Sequence, residues 1–143
     1  MEKIHRILRR KGVKCIQVES LFERQKVIIP VNIENRHWVC YSIDHSSETI
    51  QYYDSLNWKE SPAGPLLSRY VAAELEQLGA VGRRHYERIR VQSAVQEVAG
   101  DCGVFALMNV RNASLREQVD VDQELMVRLR RMVTLELRQG KFL

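Results

Sequence analysis

The chain has 143 residues, 45% of them hydrophobic, with a net charge of +4 and a pI near 9.1. That is enough for one globular domain with a real core and too little for two, and the absence of any apolar run of 18 or more residues argues against a membrane-spanning helix. The cysteines Cys15, Cys40 and Cys102 form neither an even disulfide framework nor a CxxC metal pair, and they suit a reducing intracellular compartment.

Ile4, Ile7 and Leu8 stand at helical spacing in the basic opening stretch, which predicts a short helix over residues 1–12 with Gly12 as its stop. The charged start Met1-Glu2-Lys3-Ile4-His5-Arg6 has no signal-peptide apolar region, so the chain is expected to be unexported by the usual route. Three extended runs follow, Lys26 to Ile33, His37 to Asp44 and Thr49 to Tyr53, parted by Glu34-Asn35-Arg36 and His45-Ser46-Ser47-Glu48. Such short polar breaks predict consecutive antiparallel strands. His37 then opens the second strand and Asp54 follows the third, which brings them to the same edge of the sheet.

After the loop Ser61-Pro62-Ala63-Gly64-Pro65, a helix is expected from about Leu66 to Leu78, with Leu67, Tyr70, Val71, Leu75 and Leu78 on one face and Gly79 at its end. Ile89 and Val91 alternate with Arg88 and Arg90, giving a further strand over Tyr86 to Val91. A polar loop carrying Gln96 leads into an apolar helix that begins at Cys102 and runs to about Arg111. The last helix is expected over Asp122 to Gln139, N-capped by Asp120 or Asp122, with Leu125, Leu129, Met132, Val133 and Leu137 inward. That stripe reads as core. Asn112-Ala113-Ser114 fits a glycosylation pattern but falls inside a predicted helix and is discounted.

The chemistry concentrates in Gln96-Glu97-Val98-Ala99-Gly100-Asp101-Cys102-Gly103. A thiol in the first turn of a helix meets unsatisfied backbone N–H groups and the positive end of the dipole, both of which favour the thiolate. Cysteine catalysis also needs a base to move the thiol proton and a third group to orient that base. His37 and Asp54, 17 positions apart and upstream, are of the right types, and Asp54 precedes Cys102 by 48. Each residue has a plainer reading: a packed or solvated histidine, an Asp-Ser turn, a buried inert thiol. His5, His45 and His85 are read in that plainer way, as are Tyr52, Tyr53 and Trp58. Gln96 is preferred to Gln92 as a side-chain amide near the cysteine.

The order His, Asp, Gln, Cys, carried by Pro30-Val31-Asn32, His37-Trp38, Tyr53-Asp54-Ser55-Leu56, Gln96, Gly100-Asp101-Cys102-Gly103 and Met108-Asn109, resembles the sentrin/SUMO-specific cysteine protease family. The resemblance covers about residues 26 to 140. It implies an α+β fold of papain type, shared with the adenovirus protease, in which a small antiparallel sheet packs on a central Cys-bearing helix and flanking helices. It implies Cys102 as nucleophile, His37 as general base and acid, Asp54 as its orienter and Gln96 as oxyanion donor. Trp38 is the implied clamp over the channel that admits a Gly-Gly tail. The implied reaction is cleavage after the C-terminal Gly-Gly of a SUMO-like ubiquitin-like protein through a thioester, with no cofactor or metal, in the nucleus or cytoplasm.

Family catalytic domains carry a longer N-terminal segment, including another Trp, than the 25 residues that precede the first strand here. A compact variant, or a chain that has lost its start, is therefore expected, organised as a single catalytic domain over residues 1–143. Two other classes stay open: a same-clan acetyltransferase, separable by acetyl-CoA dependence, and a module that grips a ubiquitin-like protein without cutting it. The cluster Arg83, Arg84, Arg88 and Arg90 comes without a nucleic-acid motif, and its default reading is a solvated face.

Overall fold

A computed structural model describes residues 21–80, 85–115 and 125–140. Four strands form one sheet in the order β1-β2-β3-β4: β1 (Lys26–Ile33), β2 (His37–Asp44), β3 (Thr49–Tyr53) and β4 (Glu87–Arg90). Three helices accompany it, α1 (Ala63–Gln77), α2 (Cys102–Leu115) and α3 (Met126–Gln139). The first three strands form the expected antiparallel meander, with Ile29 opposite Tyr41 and Tyr41 opposite Tyr52. β4 runs parallel to β3, pairing Ile50 with Arg88 and Tyr52 with Arg90, so the sheet is mixed. A parallel neighbour needs a crossover, and α1 supplies it. Pro30, which has no N–H to give a ladder, lies on the edge strand β1, where such a residue is tolerated.

β2 is buried on both faces because a helix lies on each side of it. Val39, Tyr41 and Ile43 join Ile50 and Tyr52 of β3, Val71 and Leu75 of α1, and Tyr86 in one core. Cys40 and Ser42 point the other way, under α2, which packs across β1 and β2. Tyr41 can be wholly enclosed because its hydroxyl meets Ser61 Oγ at 3.2 Å. A second core joins Val104, Phe105 and Met108 of α2 to Met126, Leu129 and Val133 of α3.

Several boundaries differ from expectation for physical reasons. α1 begins at Ala63, with Gly64 and Pro65 inside its first turn, where a missing N–H costs no helical bond. α2 continues to Leu115, with Ser114 Oγ turned back on the Val110 carbonyl at 2.7 Å. Leu78 of the α1 stripe and Leu125 and Leu137 of the α3 stripe are exposed, Leu137 at 71%, because each helix meets its neighbour over a narrower arc than the apolar pattern spans. Gly79 and Gly140 follow their helices in the left-handed region, at φ 67 and 65, as terminating glycines do. The short N-terminal helix and the caps Asp120 and Asp122 lie outside the described residues, and among the described residues no helix is long and apolar enough to cross a membrane.

Candidate active site

His37 opens β2 at 1% exposure, and its Nε2 lies 2.6 Å from Asp54 Oδ1. Asp54, directly after β3, also accepts from the Tyr52 hydroxyl at 3.1 Å and from the backbone N–H groups of Leu56 at 2.9 Å and Trp58 at 2.8 Å. Burial alone would raise its pKa. The bonds from His37, Leu56, Tyr52 and Trp58 outweigh that and hold it below the ordinary aspartate value. An ionised carboxylate can only accept, so His37 Nε2 carries the proton and donates it. The lone pair of the neutral ring is then on Nδ1, which is buried and has no hydrogen-bond partner among the described residues. Tyr52 stays a neutral donor, its pKa raised by burial and then by the charge on Asp54.

Gln96 is fixed from two sides. Its backbone N–H donates to the Ser55 carbonyl at 2.9 Å, and Ser55 Oγ donates to its Oε1 at 2.7 Å. The oxygen is thereby turned toward Ser55 and the amide nitrogen away from it, with Nε2 donating to the Val98 carbonyl at 3.2 Å. Because Ser55 directly follows Asp54, one corner of the chain holds both the carboxylate and the amide. Among the described residues no comparable anchoring attaches to Gln92.

Cys102 is the first residue of α2, unpaired and 8% exposed. Gly100 precedes it at φ 91, a conformation that suits glycine, and the Asp101 carbonyl takes the first helical bonds, from Val104 and Phe105. The Asp101 carboxylate pairs with Arg130 of α3, which also reaches the Gly100 carbonyl at 3.4 Å. The indole of Trp38, from β2, faces this turn: a Cβ added to Gly103 would come 3.7 Å from Trp38 Cδ1. The neighbours of His37 and Cys102 therefore face each other with room for no more than a methyl group between them, although among the described residues no hydrogen bond joins the imidazole to the thiol.

The fold thus bonds His37 to Asp54, ties Gln96 beside them, and sets Trp38 against the helix start that bears Cys102. Cys40 is a different thiol, enclosed under α2 and pushed up by burial to about 12. His45 is packed, with Nδ1 2.6 Å from the Tyr86 hydroxyl, whereas His85 is exposed. Arg88 and Arg90 are engaged as well as solvated. Arg88 pairs with Glu60 at 3.0 Å, and Arg90 donates to Asn57 Oδ1 at 2.7 Å and to the Trp58 carbonyl. Arg83, Arg84, His5 and Cys15 lie outside the described residues.

The sequence reads Tyr52 and Trp58 as packing, and it gives Ser55, though part of the motif around Asp54, and Arg130 no role in the site. Tyr52 was within reach, since residues two apart on a strand share a face. Arg130 carried no local signal, because only the packing of α3 on α2 brings it to Asp101. Among the described residues there is no cluster of three or more His, Cys, Asp or Glu that could hold a metal.

Comparison with known proteins places this geometry in context. Residues 3–140 match the family model described as Ulp1 protease family, C-terminal catalytic domain. Sentrin-specific protease 3 of Homo sapiens is 28% identical over 122 residues, covering 82% of this chain and 21% of that protein. Ubiquitin-like-specific protease 1 of Saccharomyces cerevisiae is 26% identical over 121 residues, covering 84% of this chain and 19% of that protein. The chain therefore spans about a fifth of the length of these curated relatives. Among solved structures, SUMO protease Ulp1 with its catalytic cysteine oxidised to a sulfonic acid superposes with a TM-score of 0.72 at 24% identity, over 97% of this chain and 62% of that one. The C-terminal Ulp1 protease domain in complex with Smt3, the yeast ortholog of SUMO, gives 0.64 at 22% identity, over 91% and 57%.

Proposed function

The chain belongs to the Ulp1 protease family, and on that footing we propose that it is a cysteine protease that cleaves after the C-terminal Gly-Gly of a SUMO-like protein, from a precursor or a conjugate. The observation that carries this reading is the His37–Asp54 pair: the carboxylate accepts a hydrogen bond from Nε2–H and so keeps the proton there, which leaves Nδ1 as the only basic position on the ring. Cys102 is the nucleophile, His37 takes its proton and returns one to the leaving amine, and Asp54 holds the tautomer. Gln96 and the Cys102 backbone N–H receive the oxyanion. The orientation of the Gln96 amide by Ser55 supports its part, since a preorganised donor stabilises developing charge without reorganising. Collapse of the tetrahedral intermediate leaves a thioester on Cys102, which water hydrolyses.

Trp38 is the clamp on the Gly-Gly tail, supported by its place against Gly103 at the nucleophile's turn. The partner is a SUMO-like protein, with neither membrane nor nucleic acid required. The match over residues 3–140 supports taking residues 1–143 as one catalytic domain, working inside the cell in the nucleus or cytoplasm.

The test is incubation with a panel of ubiquitin-like proteins bearing a C-terminal electrophile, read by mass, with Cys102→Ala as control. An adduct on Cys102 with a SUMO and none in the control is expected. A folded sample that forms no adduct with any panel member would exclude the protease and leave a non-cleaving binder or an acyl transferase.

A further inference from the structure

Trp58 is a half-exposed indole beside the pair that moves the proton, and the triad alone gives it no task. Histidine has a broad χ2, and Nε2 lies closer to the Cβ–Cγ rotation axis than Nδ1 does. A bond at Nε2 therefore tethers the ring while still letting it roll, and the roll swings Nδ1 through a wider arc. Among the described residues the Asp54 bond is the one hydrogen bond on the His37 ring, because Nδ1 has none. Something else has to stop the roll.

Trp58 packs against the His37 ring with centroids 5.0 Å apart and planes at 50°, within the range where aromatic pairs attract. It remains 53% exposed, so burial of the indole is a weak reason for its position. The backbone beneath it is held closely. Asn57 adopts φ 54, in the left-handed region that non-glycine residues seldom occupy. Its Oδ1 accepts from Arg90 Nη1 at 2.7 Å, and Nη2 of the same guanidinium donates to the Trp58 carbonyl. The Trp58 N–H donates to Asp54 Oδ2, the oxygen that Tyr52 also bonds, and Arg90 Cζ sits 4.9 Å above the Tyr52 ring. One carboxylate thus bonds both the imidazole and the backbone of the residue that packs on the imidazole.

We propose that Trp58 is a positioning residue: braced by Arg90 and Asp54, its indole fixes the roll of the His37 ring and with it the direction of Nδ1. The proposal rests on His37 being the base. It assigns Trp58 no contact with the scissile bond.

The test uses the whole chain as parent, Trp58→Ala, Trp58→Phe, Arg90→Gln and His37→Ala. Turnover of SUMO carrying a C-terminal fluorogenic amide, iodoacetamide alkylation of Cys102 without substrate, and thermal melting are measured on each. Trp58→Ala is expected to lower kcat by about 10- to 100-fold with KM within about twofold, and to slow alkylation. Phe at position 58 should restore most of both rates, and Arg90→Gln should give a smaller loss in the same direction. A raised KM with kcat and alkylation unchanged would make Trp58 a substrate contact and overturn the proposal. Activity that falls only with the folded fraction, equally in Ala and Phe variants, would overturn it as well. The parent and His37→Ala are compared first: alkylation indifferent to His37 would remove the base itself and the proposal with it, a result recognisable before any Trp58 variant is assayed.

Discussion

The base half and the nucleophile half of the site are held by different means. His37 and Asp54 come from one hairpin and the turn that follows it, and Asp54 receives four donors, three of them from its own turn or the adjoining strand. Cys102 sits at a helix start whose described external ties are the approach of Trp38 and the reach of Arg130 from α3. Arg130 is itself 51% exposed at the side chain. A buried carboxylate demands full satisfaction, because each missing donor leaves charge in a poor solvent, whereas a buried thiol, a weak hydrogen-bonding group, makes no such demand. The base is therefore overdetermined, and the nucleophile is placed by helix docking.

Removing either reactive group should erase the distinction. Cys102→Ser and His37→Ala are each expected to reduce turnover by about 10⁴-fold or more, and Cys102→Ser as active as the parent would end the proposed mechanism. Asp54→Asn is next, with kcat expected to fall by about 10²–10⁴-fold because the amide no longer enforces the Nε2–H tautomer.

Asp54→Asn also sharpens the comparison through pH. The folded-state pKa of Asp54 lies below its unfolded value of roughly 3.9. Its contribution to stability is therefore complete above that value and is lost as pH falls through the folded one. Melting of the parent should steepen below about pH 4, and the Asn variant should show a flatter profile there. Equal slopes would mean that the carboxylate network contributes nothing to folding.

Gln96→Ala follows, with kcat lowered by about 10²–10³-fold and Cys102 alkylation unchanged, since an oxyanion donor acts after the thiolate has formed. Arg130→Met has the smallest expected effect, about 10-fold or less in kcat/KM, because a half-exposed ion pair is screened by solvent. The reduction should shrink at high salt in the comparison with the parent. Insensitivity of kcat/KM to both the substitution and salt would show that α3 places Cys102 by packing alone.

This division also explains what could be read from the chain. The three antiparallel strands, Cys102 at a helix start and the pairing of His37 with Asp54 follow from local patterns: alternation, short polar breaks and residue type at fixed positions. Gln96 was identifiable as an amide near the cysteine, but its clamp by Ser55 depends on a corner that only the folded chain brings back to Asp54. The parallel partner of β3, the brace from Arg90 and the tie from Arg130 depend on approaches between distant segments. Helix faces were overread for a related reason. Leu78 and Leu137 continue the apolar period but extend past the partner that would cover them.

The parallel pairing of β3 with β4 also bears on the order in which the site can assemble. β1, β2 and β3 are joined by tight turns, so their contacts close short loops and can form early. β4 can dock only after the chain has passed through α1, and Arg90 arrives with it, beneath Trp58. The Cys102 helix and then α3 come later still along the chain. During synthesis from the N-terminus, the imidazole and its carboxylate can therefore meet while the thiol has yet to be made, and the reactive pair is completed among the last tertiary contacts.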